Sequence, residues 1–380
     1  MSDFALERRV RKAIRELEAD GLRRTLKPPS GIDLSSNDYL GLATHPFVKQ
    51  KMAEAVMKEG CGSTGSRLLR GNRESFTRVE RRFAEFKGTE AALYFGSGYS
   101  ANIGVLSTFI ERNDLVFSDE HNHASIIDGI RLSRAKRTKF PHCDVDHVAR
   151  LLREAPLDVQ KFLVTESLFS MDGDFAPLAE YADLCRETGT SLIVDEAHAV
   201  GIYGNRGSGY VEHTGTDDGV FLTVNTAGKA LGVAGAFVAG PDWAVDFLIQ
   251  RSRSFIFSTA PPPPVADALE ASLDIIRDEP ERRNQLLAKS RLLRRILGDS
   301  GLDIPSSGSQ IIPVILGTNK RATQAADELQ HEGFDVRALR PPTVPAGTAR
   351  LRVTVNVSLE ESTLHRFATT LGKVCSTVCS

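Results

Sequence analysis

The sequence predicts an α/β fold: a mostly parallel, doubly wound central sheet, followed by a smaller α+β C-terminal domain and preceded by an N-terminal helical arm. Three observations carry this expectation. From about residue 45 to 260, short β-rich runs alternate with helical patterns, which is the signature of repeated strand–helix–strand units. The four prolines of "STAPPPP" (258–264) then break the pattern, because consecutive prolines cannot continue a strand or a helix interior. The opening stretch "MSDFALERRVRKAIRELEAD" interleaves charges with Val10, Ile14 and Leu17 at helical spacing, so it reads as an amphipathic helix. The expected divisions are 1–44 for the arm, 45–264 for the large domain and 265–380 for the C-terminal domain.

Within the large domain the expected strands are "AALYF" (91–95), "LVFS" (115–118), "KFLVT" (161–165), "SLIVD" (191–195), "FLTVN" (221–225) and "GAFVAG" (235–240). Their near-continuous apolarity, as in Leu192-Ile193-Val194, is what a strand covered on both faces requires. Helices are expected between them, over Arg78 to Lys87, Ser100 to Ile110, Ala124 to Ser133, Asp144 to Arg153 and Pro177 to Thr188. Beyond the prolines come a long helical segment, "IIPVIL" (311–316), a helix near Arg321 to His331, "FDVRAL" (334–339), "ARLRVTV" (349–355) and a terminal helix.

Composition narrows the function classes. The chain has 380 residues, a formal net charge of -2, 41% apolar and 25% charged residues, the balance of a soluble globular protein without global attraction to nucleic acid or anionic membrane. The small-apolar stretch from Ala230 to Gly240 is too short to span a bilayer. The N-terminus has no signal-peptide pattern. Five cysteines with no CxxC pair suit reduced thiols, and a cytoplasmic location is expected. The basic stretch Arg131, Arg134, Lys136, Arg137 and Lys139 reads chiefly as a solvated helix end, with a docking patch for a carrier protein or coenzyme A phosphates as the alternative.

Ligands of such sheets gather beyond the carboxyl ends of the strands, so the motifs there carry the chemistry. "GSGYSA" (96–101) follows a strand and opens a helix. It fits a dinucleotide fingerprint, a site for another phosphate ligand, or a plain tight turn. "IVDEAHAVG" (193–201) places Asp195 at a strand end with His198 three residues on. A helicase reading of DEAH needs a phosphate loop, which is missing, leaving a helix cap or an acid beside a cationic ring nitrogen. "DEHNHASIIDG" (119–129) supplies His121 and His123. No third and fourth metal ligand is evident, so no metal is expected, and an imidazole stacked on a flat cofactor stands beside a helix-start loop. "TESLFSMDGDFAPL" (165–178) offers Glu166 and Ser170. In "NTAGKALG" (225–232) Lys229 is a phosphate-gripping, a Schiff-base or a surface lysine. The phosphate-loop reading fails, because Thr223 stands where glycine is needed and Ala230 where Ser or Thr is needed. Five strand ends thus present Gly98/Tyr99, His123, Ser170, Asp195/His198 and Lys229 to one sheet edge. An aldehyde cofactor with a phosphate, a ring nitrogen and a phenolic oxygen would use every one of them.

These stretches, with "SSNDYLGL" (35–42), "GSTGSRLLRG" (62–71), "FIFSTAPPP" (255–263) and "PPTVPAGTARLRVTV" (341–355), resemble the pyridoxal-phosphate-dependent α-oxoamine synthases of the fold-type I aminotransferase group, in order along nearly the whole chain. The resemblance implies that Lys229 carries pyridoxal phosphate as a Schiff base, that His123 stacks on its ring, that Asp195 pairs with the protonated ring nitrogen and that His198 contacts the phenolic oxygen. It also implies that Gly98, Tyr99, Glu166, Ser170 and Thr226 lie near the cofactor, with Thr259 reaching a phosphate from the partner subunit of a homodimer whose active site lies between subunits. Arg23, Asn37 and Arg352 match substrate positions, and Arg352 suits a bidentate grip on a carboxylate. The implied reaction is decarboxylative condensation of an amino acid with an acyl thioester on coenzyme A or a carrier protein. L-Alanine and a pimeloyl group are favoured over glycine or serine with another acyl group. Phe76, where many relatives carry histidine, and Cys143, in place of the usual asparagine, depart from the pattern.

Overall fold

A computed structural model of the chain describes residues 4–302, 304–305 and 307–379, so the first three residues of the predicted arm lie outside the described part. Two compact units emerge. One comprises Asn37–Ser170 and Asp174–Gln285; the other comprises the chain up to Ser36, Met171–Gly173 and the chain from Leu286 on.

The first unit is built on a seven-stranded sheet. Its spatial order is Ala91–Phe95, Ala236–Gly240, Leu222–Thr226, Thr190–Asp195, Lys161–Glu166, Leu115–Asp119 and Lys136–Phe140. Only Ala236–Gly240 runs antiparallel to its neighbours. It follows Leu222–Thr226 through a nine-residue loop, too short for the helical crossover that a parallel return needs. The other links contain helices, as the alternating pattern predicts.

Side chains of successive strand residues point to opposite faces. Phe162, Val164 and Ile193 therefore join one core with Leu93, Val105 and Ile126, while Leu163, Leu192 and Val194 join another with Phe117, Phe140 and Tyr181. Burying each such side chain contributes about 1.5–3 kcal/mol, which is why these runs are apolar at every position. Register sets Glu166 beside Asp195 at the carboxyl ends of adjacent strands.

Two expectations need correction. The basic stretch is not simply a helix end: the helix stops at Ser133, Arg134 caps it in the left-handed region, and Lys136–Phe140 is an edge strand. Lysines on an exposed edge discourage pairing with other chains. "FDVRAL" is likewise not one element. Phe334–Asp335 pairs parallel with Ile32–Asp33, whereas Ala338–Leu339 joins Ala349–Thr354 and Ile311–Gly317 in a three-stranded antiparallel sheet. The prolines end one helical region and begin the next, with Pro264 at the first position of helix Pro264–Asp278, where its missing N–H costs nothing.

One buried ion pair braces the loop after Asp195. Lys87 Nζ lies 2.6 Å from Glu196 Oε2 and donates to the Ser208 carbonyl at 2.7 Å. Glu196 Oε1 accepts from the backbone of Tyr210 and Val211. Gly209 completes the arrangement: its φ is 143°, and a Cβ there would lie 2.1 Å from Glu196 Oε2. Removing one member of a buried pair leaves the other charge uncompensated, so Lys87→Met is expected to cost about 3–5 kcal/mol in denaturant unfolding, and a loss below about 1 kcal/mol would contradict this account.

Candidate active site

The site forms at the carboxyl edge of the seven-stranded sheet. Asp195 ends its strand almost fully buried, at 6% exposure, and still keeps its charge compensated. Its Oδ1 accepts from Ala197 N at 2.9 Å and its Oδ2 from Asn102 Nδ2 at 2.7 Å. His198 follows on the tight turn that these bonds anchor.

Lys229 lies in the loop after Leu222–Thr226, held by the Gly232 N–H to Lys229 carbonyl bond at 2.8 Å. Its Nζ is 2.7 Å from His198 Nε2, and Tyr39 Oη is 2.6 Å from His198 Nδ1. Tyr39 donates onward to Asn37 Oδ1 at 3.1 Å. With that hydroxyl proton committed to Asn37, His198 Nδ1–H donates to Tyr39, and His198 Nε2 accepts from the lysine. Asn37, expected at the substrate, thus stands three hydrogen bonds from Lys229, through Tyr39 and His198.

The remaining candidates cluster around these. The backbone N–H groups of His123 and Ser170 donate to the Glu166 carboxylate. Burial, then the Asp195 charge, push the Glu166 carboxyl up to about 8, although Lys229 and those N–H groups oppose the rise. Its Oε1 is buried without a hydrogen-bond partner. Burial also lowers His123 below the ordinary imidazole value, with Lys229 adding to the effect and Asp195 opposing it. Helix Gly98–Phe109 opens on a capping box between Ser97 and Ser100. Gly98 is required by space, since a Cβ would lie 2.5 Å from Thr226 Oγ1. Tyr99 is half exposed, and its hydroxyl bonds Asp128. Thr259 lines a cavity of about 240 Å³ with Arg67, Ser97, Ser100 and Ser258. Arg23 and Arg352 belong to the other unit. Arg23 is exposed and paired with Glu18, and Arg352 is buried on strand Ala349–Thr354.

The H-x-H pair divides. His121 stacks on His142 with centroids 4.1 Å apart, while His123 joins the site. Asp119, His142 and Cys143 bring ligand-type atoms within 4.8 Å of one another. Both His142 nitrogens are engaged by carboxylates, Asp119 at 3.0 Å and Asp174 at 2.7 Å. Burial alone would lower His142, but those bonds carry it up to about 12, so the imidazolium itself bridges the two acids. Cys143 has φ 55°, in the left-handed region that asparagine adopts more readily than cysteine, which suits the asparagine that the resemblance would place there. Phe76 is fully buried, stacked on Tyr94 with the Arg67 guanidinium 4.7 Å from its ring, so this position supplies packing and no polar contact. Tyr39, Asn102 and Ser125 escaped the sequence reading, although Tyr39 and Ser125 stand inside motifs quoted above and Asn102 directly follows "GSGYSA".

A parallel sheet with one antiparallel strand, carrying an acid, two imidazoles and a lysine at its carboxyl edge, is the architecture of a fold-type I transferase. The aminotransferase class I and II family model matches residues 29–371, and the chain belongs to that family. It is 45% identical to an 8-amino-7-oxononanoate synthase of Anaeromyxobacter dehalogenans (strain 2CP-1 / ATCC BAA-258), covering 94% of this chain and 93% of that one. Among solved structures it is similar to a serine palmitoyltransferase of S. paucimobilis with a bound PLP–myriocin aldimine (TM-score 0.92, 28% identity, 100% of this chain and 99% of that one). It is also similar to the 8-amino-7-oxononanoate synthase of Francisella tularensis (TM-score 0.79, 28% identity, 92% and 98%).

Among the described residues no helix is long and apolar enough to cross a membrane. Cys61, Cys143 and Cys185 are free thiols.

Proposed function

We propose that the chain holds pyridoxal phosphate at Lys229 and condenses L-alanine with a pimeloyl thioester, giving 8-amino-7-oxononanoate, CO₂ and the free thiol carrier. The observation that carries this reading is the 2.7 Å contact between Lys229 Nζ and His198 Nε2 beside buried Asp195. The residues fit the cofactor: the buried, unpartnered Glu166 Oε1 is a feature a plain loop cluster has no use for, and Gly98 lets the Thr226 hydroxyl approach the start of helix Gly98–Phe109.

Pyridoxal phosphate, when bound, supplies an aldehyde for the lysine amine and a cationic ring that draws electron density from the amino-acid Cα. Lys229 needs a neutral Nζ to act as nucleophile, and later to take the Cα proton. His198 Nε2, an acceptor at hydrogen-bond distance, is the neighbour that can hold a proton for it. Asp195 would keep a proton on the ring nitrogen, its own orientation fixed by Asn102 and Ala197. The backbone at Gly98 and Tyr99 opens a helix, where N–H groups favour a phosphate, and Thr226, Ser170 and Thr259 offer hydroxyls. Arg352 would bind the amino-acid carboxylate, with Arg23 and Asn37 at the substrates.

A cytoplasmic homodimer is part of this reading. The arm helix Ala5–Ala19 leaves Leu6, Val10, Ile14 and Leu17 exposed on one face, as a helix that packs on a second subunit would. The likeness to serine palmitoyltransferase makes serine with a long acyl thioester the second reading; the sequence identity of 45% favours alanine. The purified, cofactor-loaded chain should release CO₂ from L-alanine with pimeloyl-coenzyme A or pimeloyl-carrier protein. Faster turnover of serine with palmitoyl-coenzyme A would overturn the alanine assignment.

Glu166 gives a test of its own. An acid whose folded value is raised to about 8 contributes stability that is fully present below its unfolded value of 4.5 and is lost as pH rises towards 8. The cofactor-free protein should therefore lose stability across that window, and Glu166→Gln, which cannot ionise, should lose less. Denaturant midpoints at about pH 5 and pH 8 measure this, and parallel losses in both proteins would contradict it.

A further inference from the structure

We propose that Asn102 and Ser125 are positioning residues that hold His123 as the neutral imidazole with its proton on Nε2, an inference that rests on His123 lying at the cofactor ring. The bonds assign the proton step by step. Asp195 Oδ2 accepts from Asn102, which fixes the side of the amide that carries its hydrogens. The second amide hydrogen goes to Ser125 Oγ at 3.0 Å. Ser125 Oγ therefore accepts from Asn102 and has its single hydrogen left for His123 Nδ1, 2.7 Å away. The Ser125 backbone N–H also points at that Nδ1, at 3.2 Å. Two donors converge on one ring nitrogen, so Nδ1 is an acceptor and the ring proton sits on Nε2.

Asn102 and Ser125 are buried, at 3% and 0% exposure, and their bonds join three elements: the helix after Gly98, the helix after His123 and the strand ending at Asp195. Three charged or titratable groups face His123 from neighbouring elements. Asp195 favours its cation, Lys229 opposes it, and Glu166 accepts its backbone N–H. The edge of the Tyr99 ring completes the surroundings. The chain thereby offers one uncharged N–H donor at His123 and keeps a second cation away from the site.

The test is ¹⁵N-histidine NMR on the cofactor-free chain, with His123 assigned by its loss in His123→Gln. The expected result is an unprotonated Nδ1 and a protonated Nε2 at neutral pH. A protonated Nδ1, in either the other tautomer or the cation, would overturn the proposal. Ser125→Ala should raise the His123 titration midpoint by roughly 0.7 unit, the effect of one neutral hydrogen bond, and admit the second tautomer. Asn102→Leu, which frees the Ser125 hydroxyl to turn, should shift it in the same direction. A midpoint and tautomer unchanged in folded Ser125→Ala also overturn the proposal, and the wild-type spectrum decides alone if the variants do not fold. Cofactor attachment is read separately by visible absorbance, so a chain with the expected tautomer that takes up no pyridoxal phosphate would sink the proposed function and leave this assignment standing.

Discussion

Lys229→Ala is expected to lower turnover by about 10³-fold or more, because it removes both the nucleophile and the base that receives a proton. Little structural disturbance should accompany the loss. Lys229 stands in a loop whose own closure depends on backbone bonds, Gly232 N to Lys229 O and Val233 N to Ala227 O. The side chain is partly exposed, so alanine leaves no sealed cavity. The freed His198 Nε2 can be met by water. Steady-state kinetics with L-alanine and a pimeloyl thioester check the prediction, and a variant retaining a tenth of the wild-type kcat would contradict it.

Asp195→Asn is expected to lower kcat by about 10²-fold, the equivalent of a charge-assisted hydrogen bond at about 3 kcal/mol. The geometry explains why an isosteric change is so costly. Both Asp195 oxygens accept from fixed donors, Ala197 N and Asn102 Nδ2. An amide can accept on one side only, so its NH₂ must face one of those donors, and the neutral group no longer holds a proton on a ring nitrogen. Cofactor retention measured by equilibrium dialysis, beside kcat, separates loss of binding from loss of chemistry. Wild-type rates would contradict the role given to Asp195.

Much of this architecture was legible because burial on both faces leaves a strand no polar position: Leu192-Ile193-Val194 can be little else. The edge strand Lys136–Phe140 was missed for the converse reason. With only one paired neighbour and solvent beyond, "KRTKF" carries charge without penalty and looks like a helix end. "FDVRAL" was read as one segment because two two-residue strands in different sheets leave no periodicity to count.

The site divides along the same line. Lys229, Asp195, His198 and His123 stand at strand ends, and strand ends can be found from pattern. Asn102 and Tyr39 matter because topology brings them to Asp195 and His198 across 93 and 159 residues of chain, and Ser125, a near neighbour of His123, matters because Asn102 reaches it across 23. No local spacing encodes such meetings.

The central claim is a covalent bond from Lys229 to pyridoxal phosphate. Borohydride reduction of the loaded protein, followed by digestion and mass spectrometry, tests it most directly. The account predicts a phosphopyridoxyl group on the peptide containing "NTAGKALG" and on no other lysine; an unlabelled Lys229, or a label at comparable yield elsewhere, would contradict it.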